Sequence, residues 1–211
     1  MKFFYTHPLL TKTNKGYNMS NTNKKQQTSM QNYIDELSKN HSKLNTVRID
    51  LAYEKPYSDN ITLEEANNDL NRMLNNMRSK PSIFKDMVGH ICKREYTEDK
   101  GVHFHTLFIY DGQKVQKDAF KGDQIGEYWK QQITRGKGTY HNCNRNTYVR
   151  NGIGMLDCRD SDKRKILDED VIAYLCKDEQ GIEPIKKNKK DRAFTRGTIP
   201  KKKGNMGRPR K

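Results

Sequence analysis

The sequence predicts an α+β domain in which helices pack on one face of an antiparallel or mixed β-sheet. A segment with alternating apolar and polar side chains opens the ordered part of the chain at residues 44–53. Two strand-like runs follow at 87–96 and 101–110, joined by a short polar segment, and stretches with helical periodicity lie before and after them. The resulting order, strand, helix, strand, strand, helix, strand, helix, is typical of α+β proteins.

The first strand and the first helix have clear sequence signals. Within "LNTVRIDLAY", residues 44–53, every second side chain from Val47 onward is apolar, which predicts a half-buried strand. Residues 62–80 carry apolar side chains at helical spacing. Thr62 and Glu65, three residues apart, form a capping-box pattern at the start of this helix, and Pro81 predicts its end.

Residues 87–96 and 101–110 predict an antiparallel hairpin, because β-rich runs separated by a tight polar turn pair with each other. The register of the hairpin depends on the length of its loop. A loop with an odd number of residues places Glu95 directly opposite His103, whereas an even number places Tyr96 there. We take the odd-numbered loop as the prediction.

The second half of the chain predicts two helices and one strand. Apolar periodicity over 123–134 predicts a helix, and "GIGMLDC", residues 152–158, is the best strand candidate in the mixed region that follows. A third helix is predicted over "DEDVIAYLCKDE", residues 168–179, where an acidic first turn suits the helix dipole. This helix should end before Gly181.

Composition and charge divide the chain into three parts. Only 32% of the 211 residues are hydrophobic, and the mean hydropathy is -1.11, so we expect the core to be concentrated in the middle of the chain. We interpret residues 1–40 as a flexible polar leader with a short helix near 30–39, 41–185 as the folded domain, and 186–211 as a basic, disordered tail. The net charge of +15 lies mostly in this tail and indicates a polyanionic partner.

Several classes of protein are excluded by the sequence. No apolar run is long enough to span a bilayer, and the first ten residues are too interrupted to form a signal sequence, so we expect an intracellular, cytoplasmic protein. The four cysteines lack CxxC spacing, which argues against a zinc ribbon or a disulfide framework. A GxxxxGK[ST] phosphate loop is absent, so any strand unwinding must come from another protein.

The pair His103 and His105 is the first candidate for chemistry. Side chains two residues apart on a strand point to the same face, so the two imidazoles project together while Phe104 turns into the core. Two imidazoles at a fixed separation are half of a divalent-metal site. Glu95 is the predicted third ligand if the hairpin register is correct, and His90 is the reserve.

The same histidine pair has other interpretations. Two histidines on a strand are commonly polar residues of a solvated face. A cupin-type metal strand requires a glutamate four or five residues after the second histidine, where this chain has Ile109 and Tyr110. A two-histidine phosphodiesterase requires Ser or Thr two places after its histidine, whereas Thr106 follows His105 directly.

The segment "VIAYLCK", residues 171–177, contributes a candidate nucleophile. On a helical wheel, Tyr174 and Lys177 are neighbours outside the apolar arc, so we expect the tyrosine to be accessible for reaction. A cation one turn away favours formation of a phenolate and can also hold a phosphate. The alternative is a surface tyrosine beside a surface lysine.

Three features occur together in this chain: a strand with the pattern His–bulky hydrophobe–His, a glutamate upstream of it, and a helix with the pattern YxxK downstream. In this combination the chain resembles the HUH endonucleases, which include rolling-circle replication initiators, relaxases and related transposases. More narrowly, "VRIDLAY", "KREYTEDKGVHFHTLFIYDG", "IGEYW", "GIGML" and "AYLCKDE" resemble the inovirus-type replication proteins of phages and prophages. The resemblance covers residues 44–197 and implies an RRM/ferredoxin-like nuclease core. The joint order of the motifs makes it fairly specific, since each motif is short.

The resemblance implies roles for individual residues. His103 and His105, with Glu95, would bind Mg²⁺ or Mn²⁺ and polarise the scissile phosphate. Tyr174 would attack that phosphorus, leaving a 5′-phosphotyrosine and a free 3′-OH, and Lys177 would orient the phosphate or stabilise the phenolate. The implied partners are single-stranded or supercoiled origin DNA, with a host helicase and polymerase in a bacterial cell.

One departure from the family concerns the number of tyrosines. Some initiators of this superfamily carry two tyrosines four residues apart on the helix, but here Asp170 and Asp178 occupy the positions four before and four after Tyr174. A single nucleophile leaves the second strand transfer to a second protomer or to a hydrolytic step.

The basic tail predicts non-specific binding to DNA phosphates. Its final "GRPRK" resembles the core of an AT-hook, which lies in the minor groove of A·T-rich DNA. The candidate DNA-binding residues in the tail are Lys201, Lys202, Lys203, Arg208, Arg210 and Lys211.

Overall fold

The fold is built around an antiparallel β-sheet that, in the part of the chain described, has six strands. A computed structural model describes residues 20–177, 181–188 and 191–199. The strands are hydrogen-bonded in the order β4-β1-β3-β2-β6, and β5 also pairs with β1. Their bounds are β1 Lys43–Tyr53, β2 Met87–Thr97, β3 Gly101–Asp111, β4 Gly138–Asn142, β5 Gly154–Asp157 and β6 Phe194–Arg196.

Helices connect and cover these strands. Two of them continue into π-helical turns: Trp129–Ile133 extends α4, and Leu167–Ile172 joins α5 to α6 in one helical run. The bounds are α1 Asn21–Asn40, α2 Leu63–Asn75, α3 Pro81–Phe84, α4 Asp118–Tyr128, α5 Ser161–Ile166 and α6 Ala173–Leu175.

The central unit has the order β1-α2-β2-β3-α4-β4, and its strands lie side by side as β4-β1-β3-β2. This is the split βαβ arrangement of RRM/ferredoxin-like folds. The predicted α+β class is therefore confirmed, and the sheet is antiparallel throughout. β1 and β3 occupy the centre, so side chains from these two strands can reach the middle of either face.

Helix α2 begins where the sequence predicted. The Glu65 amide donates to Thr62 Oγ1 at 3.2 Å, and the Thr62 amide donates to Glu65 Oε2 at 2.8 Å, so the capping box is formed. The α-helix ends at Asn75, earlier than predicted, and the chain continues through a 3₁₀ turn to Pro81, which starts α3. Proline is tolerated there because the first residue of a helix has no intrahelical partner for its N–H.

Helices cover both faces of the sheet, so the prediction of a single covered face is wrong. One core contains Val47, Ile49 and Phe104 with residues of α2 and α4, and a second contains Leu107 and Ile109 with residues of α1 and of the α5–α6 run. The physical reason is that the central strands carry apolar side chains on both faces. Every residue of β3 from Gly101 to Tyr110 is buried.

The N-terminal leader is more ordered than predicted. The expected short helix near 30–39 is part of α1, which starts at Asn21 after Ser20, whose side chain accepts from the Asn23 amide. Four side chains at helical spacing are buried against the sheet, and these are Met30, Tyr33, Ile34 and Leu37. The first half of α1 looks unstructured in sequence because it has little apolar surface, yet it extends a helix that packing stabilises. Residues 1–19 lie outside the described part of the chain.

The basic tail also contains an ordered strand. Residues 186–211 were predicted to be disordered, but Phe194–Arg196 pairs with β2, with Lys93 opposite Phe194. The Arg94 amide donates to the Ala193 carbonyl at 2.8 Å. This pairing follows from an otherwise open sheet edge, since β2 would leave its outer N–H and C=O groups unpaired without β6.

The region between α4 and α5 contains two short strands. β5 confirms the strand predicted in 152–158, whereas β4 had no clear apolar alternation and was not predicted. They share β1, because β4 pairs with residues 49–53 and β5 with residues 43–46. Within the described ranges, no helix combines the length and the apolarity needed to cross a membrane.

Candidate metal and nucleophile site

The hairpin brings together the residues that the sequence proposed as metal ligands. Thr97 pairs with Gly101, so the loop has three residues, and Glu95 lies directly opposite His103. The odd-numbered register is therefore confirmed. His90 pairs with Phe108, whose ring belongs to the core on the other face of the sheet, so the reserve ligand is not part of the group.

Glu95, His103 and His105 form a compact group in which one ligand atom from each residue lies within 4.8 Å of the others. Glu95 Oε2 is 3.0 Å from His105 Nε2 and 3.5 Å from His103 Nε2. Two ligands at right angles around a small divalent cation, each about 2.1 Å from it, are roughly 3 Å apart. The glutamate oxygen is thus spaced from each nitrogen about as two adjacent ligands of one metal ion are, and the group could hold such an ion.

Both imidazoles are oriented by hydrogen bonds at the nitrogen that faces away from Glu95. His103 Nδ1 is 3.0 Å from the Gly101 carbonyl oxygen, and His105 Nδ1 is 2.6 Å from Asp50 Oδ1. A proton on each Nδ1 leaves each Nε2 lone pair available to a cation. Partners of this kind fix the ring orientation and raise the basicity of metal-bound histidines.

Asp50 is a functional candidate that the sequence reasoning missed. It lies on β1 directly opposite His105, and its carboxylate is partly exposed. The available signal was the strand "VRIDLAY", in which Asp50 is a charged residue within an apolar strand and shares a face with Arg48. Its connection to a histidine depends on the pairing of β1 with β3, which local sequence does not determine.

Burial and charge set the protonation of the group. Burial alone would raise the pKa of Glu95, but hydrogen bonds from His103 and His105 and the charge of Lys93 hold it well below its usual range. Burial alone would lower the pKa of His105, but the carboxylates of Asp50 and Glu95 outweigh that effect and raise it. Without a metal ion, His105 is therefore stabilised as an imidazolium between two carboxylates, and a bound cation would replace its Nε2 proton.

Lys93 links the group of Glu95, His103 and His105, here called the metal-ligand group, to the C-terminal end of α6. Its side chain is 3% exposed, and Nζ is 2.6 Å from Glu95 Oε1. The same ammonium donates to the carbonyl of Lys177 at 3.0 Å. The Lys93 ammonium thus lies beside Oε1, whereas Oε2 is the glutamate oxygen that faces the two histidines.

The structure places Tyr174 beside the histidines. The ring of Tyr174 on α6 and the ring of His105 meet edge to face, with their centroids 5.7 Å apart. Two cations also contact the tyrosine ring: Lys177 Nζ lies 4.5 Å and Arg48 Cζ 4.7 Å from its centroid. The candidate nucleophile, the candidate metal ligands and two positive charges therefore share one region of the sheet face.

Tyr174 and Lys177 are buried, which corrects the expectation that the tyrosine is accessible. Their exposed fractions are 6% and 7%. The helical wheel correctly separates the apolar side of this helix from the side that carries Tyr174 and Lys177. Both sides are covered, however, because the apolar side packs in the core with α1 and the Tyr174 ring contacts Arg48 and His105. In this conformation, a large molecule therefore has little access to either side chain.

The DNA-binding residues predicted in the tail lie outside the described part of the chain. These residues are Lys201, Lys202, Lys203, Arg208, Arg210 and Lys211.

Comparison of the chain with family models, with curated proteins and with solved structures finds no match. The fold and the site nevertheless define a class in structural terms. The chain is an α+β protein whose antiparallel sheet carries a buried group of two histidines and one glutamate that could hold a metal ion. A buried tyrosine with two cations on its ring lies next to that group.

Proposed function

We propose that the chain is a metal-dependent DNA nicking and joining enzyme that uses one tyrosine and starts rolling-circle replication of a phage or plasmid genome. The observation that supports the proposal is the contact between Tyr174 and His105, because a tyrosine, which can act as a nucleophile, lies beside a group that could hold a divalent cation. The order of the sequence motifs and the excess of positive charge also support it.

Glu95, His103 and His105 would hold Mg²⁺ or Mn²⁺. When bound, the cation withdraws charge from the oxygens of a phosphodiester and so makes its phosphorus easier to attack. Asp50 keeps the His105 ring in the orientation that directs Nε2 at the site. Lys93 pairs with Oε1 of Glu95, the carboxylate oxygen that does not face the histidines, and so keeps the carboxylate in position.

Tyr174 would act as the nucleophile. Its phenolic oxygen forms a bond to phosphorus, the bond from phosphorus to the 3′ oxygen of the preceding nucleotide breaks, and the phenolic proton is lost to solvent while the 3′ oxygen gains one. The products are a 5′-phosphotyrosine and a 3′-OH that a polymerase can extend. Lys177 stabilises the negative charge that develops on the phenolic oxygen and on the phosphate.

An experiment with a random-sequence, single-stranded DNA library tests this proposal without knowledge of the origin sequence. The full chain is incubated with the library and Mn²⁺, and protein–DNA adducts that survive denaturing electrophoresis are collected and sequenced. The proposal predicts adducts linked through the 5′ phosphate at a preferred sequence, lost in Tyr174→Phe and His105→Ala. Tyr57→Phe is a matched control, because Tyr57 is exposed and its ring contacts Lys137.

Two other functions give different results in the same experiment. A hydrolytic metal-dependent nuclease cleaves the DNA in Mn²⁺ but leaves no protein on either end, and Tyr174→Phe cleaves as well as the unmodified chain. A non-catalytic DNA-binding regulator retains the DNA on native gels and leaves it intact. Either result would replace the proposed function.

A further inference from the structure

Arg48 carries a buried guanidinium that contacts the Tyr174 ring but has no role in the reaction proposed above. It lies on β1, two residues before Asp50, so both side chains project from the same face of the sheet. The side chain is 1% exposed. Arginine stays protonated in proteins, so a full positive charge lies beneath the candidate nucleophile.

The guanidinium of Arg48 lacks hydrogen-bond partners among the described residues. Neither Nε nor Nη1 nor Nη2 donates to an acceptor there. The nearest carboxylate is that of Asp50, whose Oδ1 is 3.9 Å from Nε, beyond hydrogen-bonding distance, and is already engaged by His105. The face of the Tyr174 ring lies 4.7 Å from Cζ, and Cys143 and Tyr148 are also close enough to interact electrostatically with the guanidinium.

A buried guanidinium that makes no hydrogen bond with its side-chain donors costs free energy, and an incoming anion that accepts from those donors would recover it. Arginine presents its donors as a planar fork that matches two oxygens of a phosphate. The ammonium of Lys177 contacts the same tyrosine ring, so two cations lie over the ring whose hydroxyl oxygen would become bonded to phosphorus. A shift of the guanidinium along the ring, from its face to its hydroxyl-bearing edge, would bring the donors to that phosphate.

We propose that Arg48 binds the non-bridging oxygens of the scissile phosphodiester and keeps them bound in the phosphotyrosine product. This inference rests on the proposed function, because it assigns the phosphate to the linkage that Tyr174 attacks. It adds a second residue from β1, next to Asp50, to a site built mainly from the hairpin and α6. Arg48 would act directly on the substrate charge, and the metal-ligand group would be intact without it.

The alternative is that Arg48 only supports the Tyr174 ring through a cation–π contact. The two roles differ in their dependence on the charge of the substrate. A supporting role affects every substrate equally, whereas a phosphate-binding role disappears when the scissile phosphate is made neutral. A double-mutant cycle between Arg48 and that charge therefore separates them.

The experiment compares Arg48→Met and Arg48→Lys with the unmodified chain on two oligonucleotides of the preferred sequence. One carries a normal scissile phosphate and the other a neutral methylphosphonate at the same position. We expect Arg48→Met to slow adduct formation on the phosphate about 100-fold, as removal of one charge-stabilising donor does elsewhere, and Arg48→Lys to lose less. On the methylphosphonate, we expect Arg48→Met and the unmodified chain to agree within about 3-fold, because the charge that Arg48 binds is gone.

Binding without reaction gives an independent measurement. In the background of Tyr174→Phe, fluorescence anisotropy should show tighter binding of the phosphate oligonucleotide than of the methylphosphonate, and Arg48→Met should reduce that difference. Arg159→Met is the control, because Arg159 is exposed and already pairs with the nearby carboxylate of Asp157. Unchanged Mn²⁺ affinity and circular dichroism show that each variant is folded.

Equal losses on both oligonucleotides, or no loss in Arg48→Met, would overturn the inference about Arg48 while leaving the enzyme itself in place. If the unmodified chain forms no adduct with either oligonucleotide or with the library, the proposed function fails, and the phosphate role of Arg48 fails with it.

Discussion

His105 lies between two carboxylates: its Nδ1 is 2.6 Å from Asp50 Oδ1, and its Nε2 is 3.0 Å from Glu95 Oε2. Asp50 comes from β1, His105 from β3 and Glu95 from β2, so the relationship joins three neighbouring strands of the sheet. A single imidazole cannot donate to two carboxylates while it is neutral. The arrangement therefore suits either an imidazolium or a metal ion at the Nε2 position.

The first prediction concerns metal affinity. His103→Ala should weaken Mn²⁺ binding strongly, because it removes one of the three ligand atoms, whereas His90→Ala should leave the affinity unchanged, since His90 pairs with a residue of the opposite core. Isothermal titration calorimetry on both variants measures this. Equal weakening in the two would mean that the hairpin register, or the ligand group, is wrong.

The second prediction separates orientation from ligation. Asp50→Asn keeps the size of the side chain but removes the charge that orients His105, and loss of such a partner typically costs about 10- to 100-fold in metal affinity. Asp157→Asn, on β5 away from the site, is the control. An affinity in Asp50→Asn equal to that of the unmodified chain would show that Asp50 does not support the site.

The third prediction concerns metal-dependent stability. A ligand that binds only the folded state at about 100 times its dissociation constant adds about 2.7 kcal/mol. For a chain of this size, 1 kcal/mol raises the melting temperature by roughly 2–4 °C. Saturating Mn²⁺ should therefore raise the melting temperature by about 5–10 °C in a thermal melt, and EDTA should reverse the shift. The shift should disappear in the double variant His103→Ala/His105→Ala.

The fourth prediction tests the buried ion pair between Lys93 and Glu95. Lys93→Met leaves Glu95 Oε1 and the carbonyl of Lys177 without the ammonium that contacts both, and breaking a buried pair costs about 3–5 kcal/mol. Lys39→Met removes an exposed pair with Glu36 and should have no measurable effect. Urea denaturation of both variants gives the comparison, and similar midpoints would argue against the role of Lys93.

The fifth prediction tests whether α1 belongs to the folded unit. Leu37 is fully buried in the core that α1 shares with the α5–α6 run, so Leu37→Ala should destabilise the protein by about 2–5 kcal/mol. Lys25 is exposed on the same helix, and Lys25→Ala should be neutral. If the two variants denature at the same urea concentration, α1 contributes little to folding.

Local patterns were sufficient to predict the hairpin and, with an odd-numbered loop, the residues that could serve as metal ligands. The alternation of β2 and β3 and the short loop between them determine which residues are opposite each other, so the pairing of Glu95 with His103 follows from the sequence alone once the loop is odd-numbered. The capping box of α2 was predictable for the same reason, because Thr62 and Glu65 interact within one turn.

Features that depend on long-range packing were not predictable. Asp50 and Arg48 acquire their neighbours from strands and helices distant in sequence, and Phe194 joins the sheet because an edge was open there. The burial of Tyr174 was missed because a helical wheel describes one helix alone, whereas this helix has neighbours on both arcs.

The most direct test of the central claim is the identification of the atom that becomes attached to DNA. The unmodified chain, treated with Mn²⁺ and the single-stranded library, is digested with protease and nuclease, and the modified peptide is sequenced by mass spectrometry. We expect a nucleotide 5′ phosphate linked to Tyr174. Cleaved DNA with no modified peptide, or a phosphate on any other residue, would contradict it.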